Sequence, residues 1–272
     1  MKGVILMKVY LVSDLEGVAG VINNRDWVYP DSRYYDLAKE LSTMELNAAI
    51  DGFFAAGADE VVVQDGHGEG GVNLMLLDPR AKLQRGWVGP HPFGMDESYD
   101  VMAWVGQHPK AGTEYGHLCH TGTYEVLDYT INGISVGEFG KIVFFGQIYH
   151  AVPIFASGCL AFTKEAQALV EGIETVAVKE GVIPGKGDEC SFEAYRARNW
   201  GAIHLHPVEA RKRIREGAER AMRRFLADPD SFRPTKISPP YSKVVKIRPR
   251  DGKPGYVDEK NGYTDLAAIM NC

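Results

Sequence analysis

The chain has no CxxC pair and no HExxH motif, and its four cysteines (Cys119, Cys159, Cys190 and Cys272) are scattered over 272 residues. This excludes a disulfide framework and a cysteine-type zinc site. It fits free thiols in a reducing compartment, so a cytoplasmic location is expected. No apolar run is long enough to span a membrane. The opening stretch MKGVILMKVYLVSD is broken by Lys8 and runs into acids, which also makes it a poor signal peptide, and Met7 is an alternative start to Met1. A basic surplus is missing too. Thirty Lys and Arg stand against 36 Asp and Glu, a net charge of -6, which argues against nucleic acid or an anionic membrane as partner. The basic run from Arg211 to Arg224 is interleaved with acids and reads as a solvated helix face. Internal repeats and low-complexity tracts are absent.

What is present is an ordinary globular composition, 45% hydrophobic and 24% charged. The length suits one large α/β domain or two smaller ones. KVYLVSD predicts a first strand, Val9 to Val12. YYDLAKELSTMELNAAIDGFFAAG then has helical periodicity up to Gly57, and a buried strand follows at Val61 to Val63. Strand, long helix and strand make a βαβ unit with parallel strands. Further on, VMAWVGQHP predicts a strand, EVLDYTINGISVGEFG a hairpin turning at Asn132-Gly133, and KIVFFGQIYHA a helix. VPIFASG reads as a strand, TKEAQALVEGI as a helix and ETVAVKE as a short strand. HPVEARKRIREGAERAMRRFLADPD is a clear late helix with Pro207 in its first turn. KVVKI is expected to be an edge strand near Val244 and Val245. The predicted class is α/β, a mixed but mostly parallel sheet with flanking helices plus a smaller C-terminal α/β part. One domain over 1–272 is expected, with a subdivision into a metal-binding core (1–160) and an accessory or oligomerisation part (161–272).

Polar residues collect where the predicted strands end, which is where ligands bind in open α/β sheets. The first strand exits into Asp14 and Glu16, the second into Asp65 and His67, and the third into His108. The hairpin leads to Glu138. Asp14 and Glu16, two residues apart on extended chain, repel unless a cation sits between them. Mixed imidazole and carboxylate donors suit Zn²⁺, and five donors with one shared acid suit two metals. Either His117 or His120, in GHLCHTG, is placed to move a proton beside such a site. HLHP at His204 to Pro207 reads as a helix cap. GHGEGG, Gly66 to Gly71, fits a dinucleotide fingerprint on paper. However, Glu69 would repel a pyrophosphate, and Pro79 interrupts the following stretch before a helix can form.

These segments together resemble the D-aminopeptidase DppA family of zinc peptidases, peptidase family M55. SDLEG is similar to the family's S-x-D-x-E-G, QDGHG to N-D-x-H, VGQHPKAGT to G-x-H-x-x-A, LCHTGT to M-S-H-S, and INGISVGEFG to I-N-x-x-x-V-G-E-x-G. They run in order from Lys8 to about Pro153. The resemblance implies two Zn²⁺ per subunit, with Asp14 bridging, Glu16 and His67 on one ion and His108 and Glu138 on the other. It implies His120 as the catalytic residue, short peptides with an N-terminal D-amino acid as substrates, and a ring-shaped homo-oligomer, a decamer. Cys159 and Leu160 stand where the family often has an acidic pair. Asn132 is a candidate oxyanion donor as well as a turn residue, and Asp65 and Glu69 are candidate acceptors for a substrate ammonium. The alternatives are another metal-dependent amidohydrolase, a phosphoesterase, or a non-catalytic metal-binding ring protein. A phosphoesterase would need basic residues near the metals, and the motif segments offer only Lys110.

Overall fold

The computed structural model describes residues 6–86 and 90–272. In chain order the first half comprises β1 (Lys8–Ser13), α1 (Asn24–Trp27), α2 (Tyr35–Ala56), β2 (Glu60–Asp65), β3 (Lys82–Gln84), β4 (Val101–Gln107), β5 (Val126–Ile131), β6 (Ile134–Ser135), α3 (Glu138–Tyr149) and β7 (Val152–Cys159). There follow α4 (Leu160–Leu169), β8 (Val170–Glu171), β9 (Glu174–Gly181), α5 (Phe192–Arg198), β10 (Ala202–His204), α6 (Pro207–Ala227), β11 (Arg233–Pro234), β12 (Tyr241–Ile247), β13 (Tyr256–Tyr263) and α7 (Leu266–Met270).

The apolar runs at β1, β2, β4 and β7 become the centre of a seven-stranded sheet, ordered β10-β9-β7-β4-β1-β2-β3. Every neighbouring pair is parallel except β10 with β9. Val9 lies between Val61 and Val101 in register. Because side chains alternate along a strand, β1 feeds two cores. Val9 and Leu11 pack with Leu46, Ile50 and Phe53 of α2 and Ile214 and Met222 of α6. Tyr10 and Val12 face the opposite side, with Trp104, Phe139, Phe144 and Phe162. This is the doubly covered parallel sheet that the runs of β-formers predict. The His206 side chain accepts from Val208 N ahead of Pro207, which caps α6 as the HLHP motif suggests.

A second sheet, ordered β13-β12-β5-β6, is antiparallel. It corrects the edge-strand expectation. KVVKI lies in β12, paired on both sides, and the edge is β13. The β13 sequence, YVDEKNGY, lacks an apolar alternation and is largely exposed, so no periodicity marks it as a strand. The sheets also interleave the two halves of the chain. Strands β9 and β10 complete the main sheet, and β12 pairs with β5. The glycine loop after β2 leads through turns to β3 without a helix, so the dinucleotide arrangement is not formed.

Candidate metal centre

The exits of β1 and β4 are pressed together, backbone to backbone. Asp14 N donates to Val105 O at 3.0 Å and Gly17 N to Gly106 O at 2.7 Å. A Cβ on Gly17 would lie 2.1 Å from Gln107 O, and one on Gly106, whose φ is +78°, would lie 2.2 Å from Asp14 O. Only glycine permits this approach. It sets Asp14 and Glu16 beside His108. The β2 exit adds His67 from the next strand, and α3 adds Glu138 as its first residue, where the helix N-terminus favours an anion. Glu138 also accepts from Gly122 N at 2.7 Å, which ties down the loop that carries His120.

Five of the six side chains are buried, Glu138 less so. The imidazoles share one pattern. His67 Nε2 lies 2.7 Å from Val28 O, His108 Nδ1 2.9 Å from Pro109 O and His120 Nδ1 2.9 Å from Leu118 O. A carbonyl can only accept, so each of these nitrogens carries hydrogen, and the network assigns the other nitrogen of the neutral ring as a bare lone pair. Those lone pairs aim at carboxylates. His67 Nδ1 is 3.3 Å from Asp14 Oδ1 and 3.2 Å from Glu16 Oε2. His108 Nε2 is 3.3 Å from Asp14 Oδ2 and 3.5 Å from Glu138 Oε1. His120 Nε2 is 3.8 Å from Glu138 Oε1. Asp14 thus turns one oxygen to His67 and the other to His108. Glu16 Oε2 and His108 Nε2 are buried without a hydrogen-bond partner.

Lone pairs facing anions require a cation between them, either extra protons or a metal ion. The electrostatics describe the proton alternative. Burial opposes charge on His108, yet Glu138 and Asp14 raise it to about 10. His67 is likewise raised, against burial, by Glu16 and Asp14. Burial and Glu16 push Asp14 up to about 7. Glu16 and Glu138 are held low by the imidazoles, against burial. His120 differs, since burial and the neighbouring His108 lower it. The donor set fits a metal. Donor atoms of Asp14, Glu16 and His108, and again of His108, His120 and Glu138, lie within 4.8 Å of one another. Imidazole nitrogens oriented by carbonyls, together with carboxylates, are zinc donors in number and kind.

The cluster opens into a cavity of about 620 Å³, where His120 is stacked between His108 (3.9 Å) and Tyr124 (4.5 Å). Other expected residues lie elsewhere. His117 Nε2 donates to Ile22 O, 2.9 Å away, and burial keeps the ring neutral outside the cavity. Asn132 is not brought to the site. It takes φ +47° in the β5–β6 turn, donates to Ser238 O and accepts from Ser242 N, so its amide is spent on loop structure. Asp65 is held by Arg85 at 2.6 Å and by Gly71 N, which removes it as an ammonium acceptor, while Glu69 lines the cavity. Sequence reasoning missed Gln107, whose amide donates to Asp14 Oδ2 at 2.8 Å. It also missed a buried brace behind Glu16. Lys179 Nζ donates to Val18 O and Val21 O, and Glu45 accepts from Ala19 N. A glutamate on the apolar stripe of α2 and a lysine inside the valine run of β9 were the available signals.

Fold and site define an α/β protein with a histidine–carboxylate cluster, of a composition that fits a metal, at the carboxyl ends of parallel strands. The sequence model of the family described as D-aminopeptidase, Peptidase M55, matches residues 7–251, and the chain belongs to that family. The D-aminopeptidase of Bacillus subtilis (strain 168) is 31% identical over 180 residues, 65% of each chain, so the match spans just under two thirds of that relative's length. The solved structure of the Zn-dependent D-aminopeptidase DppA from Bacillus subtilis, described as a self-compartmentalizing protease, shares the fold. Its TM-score is 0.80 at 22% identity, covering 97% of this chain and 94% of that one.

Proposed function

We propose that the protein is a zinc-dependent aminopeptidase that hydrolyses short peptides with an N-terminal D-amino acid. The observation that carries this reading is the set of three carbonyl-oriented imidazoles whose free nitrogens converge on two buried carboxylates and the half-buried Glu138. Asp14, Glu16 and His67 would hold one Zn²⁺, and Asp14, His108 and Glu138 a second. The two oxygens of Asp14, turned to different histidines, support its bridging role. Zinc bound here would supply Lewis-acid charge at the scissile carbonyl and make water acidic near neutral pH. His120, neutral and lining the cavity, takes a proton and returns it to the leaving amine. Glu69 is the remaining candidate acceptor for the substrate ammonium.

Membership of the D-aminopeptidase family and the likeness to a Zn-dependent enzyme support zinc and peptide substrates. We infer that the chain assembles into a closed ring, a decamer; the description of the structural relative as self-compartmentalizing supports assembly as such, and the exposed strand β13 offers an edge for a neighbour. We place the protein in the cytoplasm, on the scattered free cysteines. Among the described residues no helix is long and apolar enough to cross a membrane. A general amidohydrolase is the second reading, favoured by Cys159 and Leu160 where an acidic pair is common and by the engagement of Asp65 with Arg85. Assay of the zinc-loaded protein on D-Ala-D-Ala, L-Ala-L-Ala, their N-acetylated forms and a phosphodiester separates the readings. The aminopeptidase cleaves the free D-peptide best and loses turnover on acetylation. Equal cleavage of the acetylated peptide establishes the amidohydrolase.

A further inference from the structure

The cavity holds a cation that the chemistry above does not use. Lys141 lies three residues after Glu138 on α3, and both side chains line the cavity from one helix face. Among the described residues the Lys141 ammonium has no ion pair and no hydrogen bond, and it rests 5.2 Å from the centroid of the Tyr129 ring. Of the other cations of the cavity wall, Arg250 is paired with Glu125 and Asp251, while Arg196, which like Lys141 has a ring contact and no ion pair among the described residues, lies over Tyr29 on α5, away from the helix that carries Glu138. Burial pulls Lys141 below the ordinary lysine range, with Glu138 only partly offsetting it. Glu138 is itself committed to His108 and Gly122 N. Lys141 is half-buried and has no anion of its own, so the carboxylate of a bound ligand gains a charge-assisted contact there.

Resting on the peptidase reading above, we propose that Lys141 binds the terminal carboxylate of a dipeptide whose scissile carbonyl lies at the histidine–carboxylate cluster. The site then selects free dipeptides over their amides. The dimensions agree. The carboxylate of a dipeptide lies one residue, about 3.8 Å, beyond the scissile carbonyl. Side chains three apart on a helix start about 5–6 Å from each other, and the lysine stem covers the remainder.

The test compares D-alanyl-D-alanine with D-alanyl-D-alaninamide on wild type, Lys141→Met, Lys141→Arg and Arg196→Gln. Wild type is expected to show a KM for the acid at least tenfold below that for the amide. Lys141→Met removes this margin by raising KM for the acid, with kcat and the amide kinetics little changed, and Lys141→Arg restores part of it. Calorimetric titration of both compounds into metal-free wild type and Lys141→Met gives the same comparison without turnover. A carboxylate margin in binding that Lys141→Met abolishes supports the assignment even if no peptide is cleaved, an outcome that overturns the peptidase reading alone. No margin in wild type, or a margin that survives Lys141→Met and disappears in Arg196→Gln, overturns the role of Lys141.

Discussion

His120 has the same carbonyl-oriented ring as His67 and His108, but a different electrostatic setting. Its free nitrogen is 3.8 Å from one carboxylate, whereas each of the others contacts two at 3.2–3.5 Å. Its pKa is lowered while theirs are raised. We therefore expect His120→Ala to keep its zinc while kcat falls by about 10²–10⁴. Elemental analysis run beside the peptidase assay checks this, and joint loss of zinc and turnover would make His120 a ligand. Gln107 acts one step back, fixing Asp14 through a 2.8 Å hydrogen bond. Gln107→Leu should weaken zinc binding by about 10–100-fold, measured by competition with a chelator. The clustering of Asp14, Glu16, His67, His108 and Glu138 was legible in the sequence because each lies within three residues of a strand or hairpin exit. Gln107 was not, because an amide at a strand exit has many ordinary uses. Asn132 misled for the converse reason, since an Asn-Gly pair already accounts for itself as a turn.

At the level of elements, the site depends on how closely the β1 and β4 exits approach. Gly106→Ala places a methyl 2.2 Å from Asp14 O as well as straining a φ of +78°, so the two exits must separate. We expect a drop in Tm together with zinc affinity weakened more than tenfold. Gly122→Ala is the control, because it shares a positive φ of +72° but meets nothing within 4 Å. It should cost only the strain of about 1–2 kcal/mol, with zinc binding retained. Equal loss of zinc in both variants would show that strain, not contact, matters. The parallel core was readable because its strands are short continuous apolar runs, as in KVYLVS, and its helices place apolar residues at helical spacing, most plainly in the stretch that forms α6. The second sheet was read in part. Hairpin β5–β6 has its turn signal, whereas β13 is polar and exposed and its neighbour β12 was therefore taken for the edge. The loop that carries His120 has no periodicity, and its position depends on the contact of Gly122 with Glu138.

For the whole molecule, the candidate metal centre joins the exits of three strands to the start of a helix, so occupancy by a metal should govern stability. Without metal, protons must fill the role of the cation. His108 is raised from its ordinary 6.5 to about 10, so its stabilising proton is fully bound below pH 6.5 and lost as pH climbs through about 10. Asp14 is raised from 3.8 to about 7, so its ionisation costs the fold stability as pH rises across that interval. The Asp14 loss is complete by about pH 7, and from there to about pH 10 the His108 proton governs, so the Tm of chelated protein should fall between pH 7 and 10 relative to that of zinc-loaded protein. Lys179, lowered to about 8 by burial, is common to both forms and cancels in the difference. Scanning calorimetry of the two forms across that range checks the divergence, and parallel curves would contradict it. The central claim is that Asp14, Glu16, His67, His108 and Glu138 form one centre for two metal ions. It is tested most directly by the zinc content of metallated, exhaustively dialysed protein, in wild type and in Asp14→Ala. The account predicts about two zinc ions per chain in wild type and a clear loss in the variant. A stable value of one that Asp14→Ala leaves unchanged would contradict it.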